Sequence, residues 1–68
     1  MKIKLNGEIK NINGVISLEN FIQSYLNGKE AKGIAVALNS IIVPKQKWSE
    51  TVLSENDVVE VVHAVQGG

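Results

Sequence analysis

A chain of 68 residues is long enough for one small domain and too short for two, because each half would be too small to form a core without a disulfide or a metal. It has no cysteine and one histidine, His63, which excludes a disulfide scaffold, a thiolate metal site and a multi-histidine zinc site. Seven lysines balance seven acidic residues and there is no arginine, so nucleic acid is not expected as the main partner. The apolar runs are too short to cross a membrane. We therefore expect a soluble cytoplasmic protein with no bound metal or cofactor.

The N-terminal segment predicts a β-hairpin. Its first residues alternate between polar and apolar, as in a strand with one buried face. Asn6-Gly7 is a strong hairpin signal. A two-residue turn would place Lys4 opposite Ile9, which mixes the two faces. A three-residue loop would place Leu5 opposite Ile9, which keeps the apolar face intact, and this is the register that we predict.

The next segment predicts a helix. Ser17 is a favourable N-cap, and Gly28 stands where a left-handed C-terminal cap belongs. The apolar residues between them recur with the period of a helix and form one stripe: Leu18, Phe21, Ile22, Tyr25 and Leu26.

The second half of the chain predicts three more strands and a helical turn. Residues 34–38 and 41–43 are rich in β-branched side chains, which favour strands. Residues 45–49 predict a single helical turn, and Trp48 within it is expected to plug the edge of the core. Residues 58–65 predict the last and longest strand.

The order of these elements predicts how they pack. A helix that connects the second strand to the third covers one face of a sheet, and no element is left to cover the other face. We therefore predict an α+β protein with a β-grasp fold, in which one helix packs across one face of a mixed sheet of four to five strands. Residues 1–68 would form a single domain with a flexible tail at residues 66–68.

The composition offers little for catalysis, so we do not expect an enzyme. The acidic residues are scattered over turns and strand faces, and no two have a spacing that brings them together. His63 has no serine or cysteine beside it to activate, and we expect a partly buried histidine at the end of the sheet. Lys45 and Lys47 are either solvated or the rim of a docking surface.

The C-terminal Gly67 and Gly68 are the first candidate for a functional site. Glycine has no Cβ, so two glycines in a row can thread a narrow channel and adopt almost any backbone conformation. The α-carboxylate of Gly68 is unhindered, and it becomes an electrophile once a leaving group is attached, for example by adenylation. We expect Gly68 to be the reacting residue and Gly67 to provide access. A frayed chain end is the alternative interpretation.

The uncovered face of the sheet is the second candidate. Small apolar side chains there would form a smooth patch, and an apolar patch without a covering helix suggests a surface for a protein partner. The predicted partner surface consists of Ala35, Ala37, Val62, Ala64 and Gln66. The alternative is that small apolar residues on a surface need no explanation.

Taken together, several segments resemble one known family. They are residues 1–7, residues 18–26, residues 36–44, the spacing from Pro44 to Trp48, the turn at Asn56-Asp57, and Gly67-Gly68. The whole chain is similar to the ThiS family, the sulfur carrier proteins of thiamine biosynthesis in the ubiquitin-like β-grasp superfamily. Three positions depart from the family pattern. Lys45 stands where arginine is frequent, Asn56 where glycine is frequent, and Gln66 where a small residue is frequent.

The resemblance implies a reaction sequence. An E1-like adenylyltransferase would use ATP to adenylate the carboxylate of Gly68, and a persulfide sulfur donor would convert the product to a thiocarboxylate. The thiocarboxylate would deliver its sulfur to thiazole synthase for the thiazole ring of thiamine. A chain without cysteine cannot carry sulfur as its own persulfide, so the C-terminus would be the place where sulfur is carried.

Three other functions remain open at this point. A small subunit of molybdopterin synthase would use the same tail chemistry with a different acceptor, although the short chain and the Pro44 to Trp48 spacing favour the thiamine carrier. A ubiquitin-like modifier would form isopeptide conjugates with partner lysines. A β-grasp module that binds RNA or nucleotides is disfavoured by the neutral net charge and has no use for a terminal Gly-Gly.

Overall fold

The computed structural model describes residues 1–29 and 32–63. Within these ranges the chain forms five strands, one α-helix and one 3₁₀ helix, in the following order: β1 (Lys2–Leu5), β2 (Glu8–Asn11), α1 (Leu18–Leu26), β3 (Ile34–Leu38), β4 (Ile41–Ile42), the 3₁₀ helix (Lys45–Glu50) and β5 (Val58–His63). The strands form one sheet in the order β2-β1-β5-β3-β4. β1 and β5 are parallel and the other neighbours are antiparallel, so the sheet is mixed, as predicted.

The register of the first hairpin differs from the prediction. Lys4 pairs with Ile9, and Leu5 pairs with Glu8, so the connection is a two-residue turn and the predicted pairing of Leu5 with Ile9 is wrong. The reason lies in the turn itself. Asn6 has φ 48° and Gly7 has φ 87°, and two successive residues with positive φ form the tight turn whose twist matches a hairpin. This turn chemistry overrides the tendency to bury every apolar residue, and Ile9 is left exposed.

Helix α1 begins at the predicted residue, and its left-handed C-terminal cap lies one residue earlier than predicted. The Ser17 hydroxyl accepts a hydrogen bond from the Asn20 N–H at 3.1 Å, which satisfies one free donor of the first turn. The left-handed residue that closes the helix is Asn27, with φ 53°, and Gly28 follows it with φ 91°. Asparagine tolerates this conformation, so it can cap the helix in place of the glycine.

The core lies between α1 and one face of the sheet. Its buried side chains come from the helix, from the three central strands and from the segment that contains the 3₁₀ helix: Ile3, Leu5, Leu18, Phe21, Ile22, Leu26, Val36, Trp48, Leu53, Val59 and Val61. Trp48 is 2% exposed, and its Nε1–H donates to the Val43 carbonyl at 2.9 Å, which confirms that it plugs the edge of the core. Tyr25, predicted in the apolar stripe, lies at the border of that stripe and is exposed.

The later strands follow the prediction with small differences at their ends. β3 has the predicted bounds, whereas β4 stops at Ile42, one residue before the predicted end. β5 begins at Val58 as predicted, and the predicted final residues 64 and 65 lie outside the described part of the chain. Neither helix in the described ranges has the length and apolar character that crossing a membrane requires.

Candidate functional site

Strand β5 leads toward the predicted C-terminal site and occupies the middle of the sheet. It lies between β1 and β3, and its last residue, His63, pairs with Ile34. Gly67 and Gly68 lie outside the described residues, as do Ala64 and Gln66. The structure therefore fixes the strand that precedes the tail, and the chemistry of the tail itself remains a prediction.

Asn6 holds β5 to the first hairpin. Its side-chain Oδ1 accepts a hydrogen bond from the Val61 N–H at 2.8 Å, and its own N–H donates to the Val59 carbonyl at 3.0 Å. The left-handed backbone of Asn6 belongs to the tight turn, so one residue both closes the hairpin and extends its pairing with β5. Sequence reasoning identified Asn6 as a turn residue and missed this contact, because its partner is 55 residues away.

We expect Asn6→Gly to lower the free energy of unfolding by about 1 kcal/mol, because the Val61 N–H loses its acceptor. Glycine accepts the φ of 48° freely, so this variant removes the side chain without straining the turn. Asn6→Ala should cost more, since alanine is disfavoured at positive φ. Urea unfolding monitored by Trp48 fluorescence measures both variants. Unfolding free energies within about 0.3 kcal/mol of the parent, below what one such bond contributes, would show that the contact does not hold β5.

Asn39 and Asp57 hold the beginning of β5. The Val58 N–H donates to Asn39 Oδ1 at 2.9 Å, and the Asn39 N–H donates to the Val58 carbonyl at 2.7 Å. The Asn39 side-chain amide also donates to Asp57 Oδ1 at 3.1 Å, while Asp57 Oδ2 accepts from the Ser54 N–H at 2.8 Å. Side chains therefore fasten β5 to its neighbours at Val58, its first residue, and at Val61 near its end.

The pairing of β3 with β5 assembles part of the predicted partner surface. Ala35 pairs with Val62 and Ala37 pairs with Glu60, so these four side chains share the face that α1 leaves uncovered. Val62 is 60% exposed, and the two alanines are half-buried. The structure thus brings together three of the five predicted surface residues, while the other two lie outside the described ranges.

The same face contains a large apolar residue that sequence reasoning missed. Ile42 in β4 pairs with Ala37 and is 64% exposed. The run of three apolar residues at positions 41–43 gave no clear alternation, so the sequence did not indicate which of them faces outward. We use the term apolar patch for Ala35, Ala37, Ile42 and Val62. An exposed patch of this kind is typical of a surface that binds another protein.

His63 is more exposed than predicted. It lies on the same side of the sheet as α1, opposite Ile34, but the helix ends nearby and leaves a recess. The recess is lined by Tyr25, Leu26, Asn27, Lys29 and His63. The helix is too short to cover the end of β5, which explains why this histidine is not enclosed.

The described residues include no buried charged side chain. No three histidine, aspartate or glutamate side chains within residues 1–29 and 32–63 lie close enough to hold a metal ion. Lys47 pairs with Glu50 at 3.9 Å, and Lys10 pairs with Glu8 at 3.4 Å, all on the surface. Exposed pairs of this kind contribute little, so Lys47 is a solvated residue of the 3₁₀ helix.

Comparison with known sequences gives a family match over nearly the whole chain. The sequence profile of the ThiS family matches residues 3–68. A protein of Magnetococcus marinus named thiazole synthase is 37% identical over 68 residues, and one of the same name from Paramagnetospirillum magneticum is 29% identical. The chain spans about 20% of the length of each. A Pyropia yezoensis protein named uncharacterized protein ycf40 is also 37% identical, and the chain covers 93% of it.

Comparison with solved structures supports the fold. The crystal structure of the thiamine biosynthesis protein (ThiS) from Geobacter metallireducens superposes with a TM-score of 0.83 at 23% identity, and each chain is covered completely. The solution structure of a thiamine biosynthesis protein from the same organism gives a TM-score of 0.73, with 88% of that chain covered. The predicted ubiquitin-like β-grasp fold is confirmed. With the profile match from residue 3 to residue 68, the chain belongs to the ThiS family.

Proposed function

We propose that this chain carries sulfur as a thiocarboxylate on Gly68 and delivers it to a thiazole synthase. An E1-like adenylyltransferase would first join the Gly68 carboxylate to the AMP part of ATP, which gives the carboxyl carbon a good leaving group. The terminal sulfur of a persulfide donor would then attack the carboxyl carbon and displace AMP, which gives an acyl disulfide. A second thiol would reduce this acyl disulfide, so that the thiocarboxylate is released and the two thiols are left joined as a disulfide. The finished thiocarboxylate would be the sulfur source for the thiazole ring of thiamine.

The observation that carries this proposal is the family match, because it continues to residue 68 and so includes Gly67-Gly68. The sequence adds a chemical argument. With no cysteine, the chain has no thiol on which a persulfide could form. Two relatives named thiazole synthase contain a region similar to this chain, which supports a thiazole synthase as the sulfur acceptor.

In this proposal the chain is a protein co-substrate and its partners are the catalysts. ATP is bound and consumed by the adenylyltransferase, and the chain itself needs no cofactor. Such a reaction requires ATP, and the location that we propose for it is the cytoplasm. What the chain contributes is a carboxylate on a slender tail and a rigid base, since side chains fasten β5 at both Val58 and Val61.

The apolar patch is the proposed docking surface for the adenylyltransferase. It includes Val62 on β5, the strand that precedes the C-terminal residues, and Ala35 on the neighbouring strand β3. An adenylyltransferase that binds this surface would hold β5 in place while the Gly68 carboxylate reaches the ATP site of the enzyme. Positioning of this kind converts a bimolecular encounter into an oriented reaction.

We expect Val62→Asp to raise the dissociation constant of the complex with the adenylyltransferase roughly thirtyfold, or about 2 kcal/mol, because it places a charge in an apolar contact. Val52→Asp is the matched control. Val52 is 57% exposed and Val62 is 60% exposed, but Val52 lies beside Ser17, outside the apolar patch. Titration calorimetry measures both variants after their melting temperatures are checked. Equal dissociation constants for the two variants would rule out the patch as the docking surface.

A sulfur-transfer assay tests the proposed acceptor. Thiocarboxylated protein labelled with ³⁵S is offered to a thiazole synthase with its small-molecule substrates, and separately to the large subunit of a molybdopterin synthase. We expect label in the thiazole product alone. Transfer to the molybdopterin precursor instead would place the chain in molybdopterin synthesis and not in thiamine synthesis. The proposed thiocarboxylate on Gly68 would be unaffected by that result.

A further inference from the structure

The half of the uncovered sheet face that is farthest from the apolar patch contains a cleft with a mixed lining. The cleft has a volume of about 280 Å³. It is lined by Lys2, Lys4, Ile9, Asn56 and Val58, and we call it the basic cleft. It lies where β2, β1 and β5 meet, and the function proposed above gives it no role.

The sheet register explains the composition of the basic cleft. Lys4 pairs with Ile9 on one side and with Val58 on the other, so its ammonium-bearing side chain stands between two aliphatic ones. Lys2 is two residues earlier in β1 and therefore on the same face. Ile9 is 56% exposed, because the two-residue turn places it outward. The cleft is thus an aliphatic floor with two positive charges beside it.

The two lysines are available to a ligand. Within residues 1–29 and 32–63, no carboxylate lies within 4 Å of either ammonium group, whereas Lys10 has a carboxylate partner. Two acidic residues that precede β5 are engaged elsewhere, and the carboxylate of Glu60, which lies on the same face two residues after Val58, is more than 4 Å from both ammonium groups. A Glu55 carboxylate oxygen accepts from the Lys2 backbone N–H at 3.0 Å, and both Asp57 oxygens accept hydrogen bonds from amide groups.

We infer that the basic cleft binds an acidic segment of a partner protein. One aliphatic side chain of that segment would cover Ile9 and Val58, while a flanking carboxylate would lie between the ammonium groups of Lys2 and Lys4. Complementary charge fixes the register of such a contact, and the aliphatic floor gives it buried area. A phosphate-rich ligand is a poorer match, because it has nothing apolar to place on the floor and the chain has zero net charge.

A nuclear magnetic resonance titration of the full ¹⁵N-labelled chain tests this inference. The probe is the acetylated, amidated peptide Glu-Leu-Glu-Leu-Glu, compared with Lys-Leu-Lys-Leu-Lys and with inorganic tripolyphosphate. We expect the acidic peptide to shift the amides of Lys4, Ile9 and Val58 with a millimolar dissociation constant that rises with added salt. The basic peptide should leave these amides unchanged.

Two charge reversals in the same hairpin distinguish binding at the basic cleft from a general effect of net charge on peptide binding. We expect Lys4→Glu to weaken the acidic peptide about tenfold, since one attraction becomes a repulsion. Lys10→Glu is the matched control, because Lys10 pairs with buried Ile3 and so faces the other side of the sheet. It should change the dissociation constant less than about twofold. Lys4→Gln, which adds no repulsion, should give an intermediate loss.

Three results would overturn the inference. They are no shift at the cleft with the acidic peptide, an equal loss for Lys4→Glu and Lys10→Glu, and tripolyphosphate binding at the cleft as strongly as the acidic peptide. The last of these would assign the cleft to phosphate. The titration uses neither an activating enzyme nor the chemistry of Gly68, so its failure is separate from any failure of the proposed function.

Discussion

Deletion of Gly68 is expected to reduce thiocarboxylate formation by at least about a thousandfold while leaving the melting temperature unchanged. The truncated chain still ends in a glycine carboxylate, but that carboxylate is about 3.5 Å short of its place, the length of one extended residue. Misplacement by about 1 Å can cost a factor of about a hundred in an oriented reaction, so a whole residue should cost more. The fold should not change, because the core side chains of the described ranges lie between Ile3 and Val61.

Intact mass spectrometry after incubation with the adenylyltransferase, ATP and a sulfur source measures this effect. Lys47→Ala is a suitable control, since Lys47 is exposed and its ammonium group pairs with Glu50 at the surface. It should be converted at the parent rate. Adenylation of the truncated chain at the parent rate would contradict the assignment of Gly68 as the reacting residue.

The second large effect is expected for Ile22→Ala in α1. Ile22 is completely buried between the helix and the sheet, and removal of such a side chain costs about 2–5 kcal/mol. A domain of this length has a total stability of roughly 3–10 kcal/mol, so one substitution removes a large part of it. Alanine is the best helix former, so the loss reflects packing and not helix propensity.

Thermal and urea unfolding measure this loss. In a domain of this size, 1 kcal/mol corresponds to about 4–8 °C, so we expect the melting temperature of Ile22→Ala to fall by more than about 10 °C. Gln23→Ala is the matched control, because Gln23 is the next residue of the same helix and is exposed. A similar fall for both variants would mean that the helix, and not its buried face, limits stability.

Local chemistry explains why much of the fold was predictable from the sequence. Helix α1 has a serine cap and an apolar stripe with a period of 3.6 residues, and both signals involve residues close together in the chain. Trp48 was predictable as a core residue, because a large aromatic side chain in a short turn has to be buried somewhere. One helix between two pairs of strands then leaves few topologies to choose from.

The hairpin register was not predictable from alternation alone. The pattern of apolar residues favoured burial of Ile9, whereas the left-handed backbone of Asn6 and Gly7 favoured a two-residue turn. The backbone preference won, and Ile9 became part of the basic cleft. When the register of a hairpin is predicted, a strong signal for a two-residue turn should therefore count for more than the burial of one isoleucine at the edge of a sheet.

The candidate surfaces were predictable only in part, because they depend on contacts between distant segments. Which side of the short β4 faces outward follows from the pairing of Ile42 with Ala37, and the sequence contains no local signal for it. The bond between Asn6 and Val61 joins residues 55 positions apart. The role of Gly67 and Gly68 stays a prediction, and it depends on residue type and not on tertiary contacts.

The measurement that tests the central claim most directly is the mass of the intact chain after incubation with a thiamine-pathway adenylyltransferase, ATP, a persulfide donor and a thiol reductant. We predict a gain equal to the exchange of one oxygen for one sulfur, located in the C-terminal peptide that contains Gly68. An unchanged mass, with an adenylyltransferase that converts its own sulfur carrier in the same buffer, would contradict the claim that this chain carries sulfur.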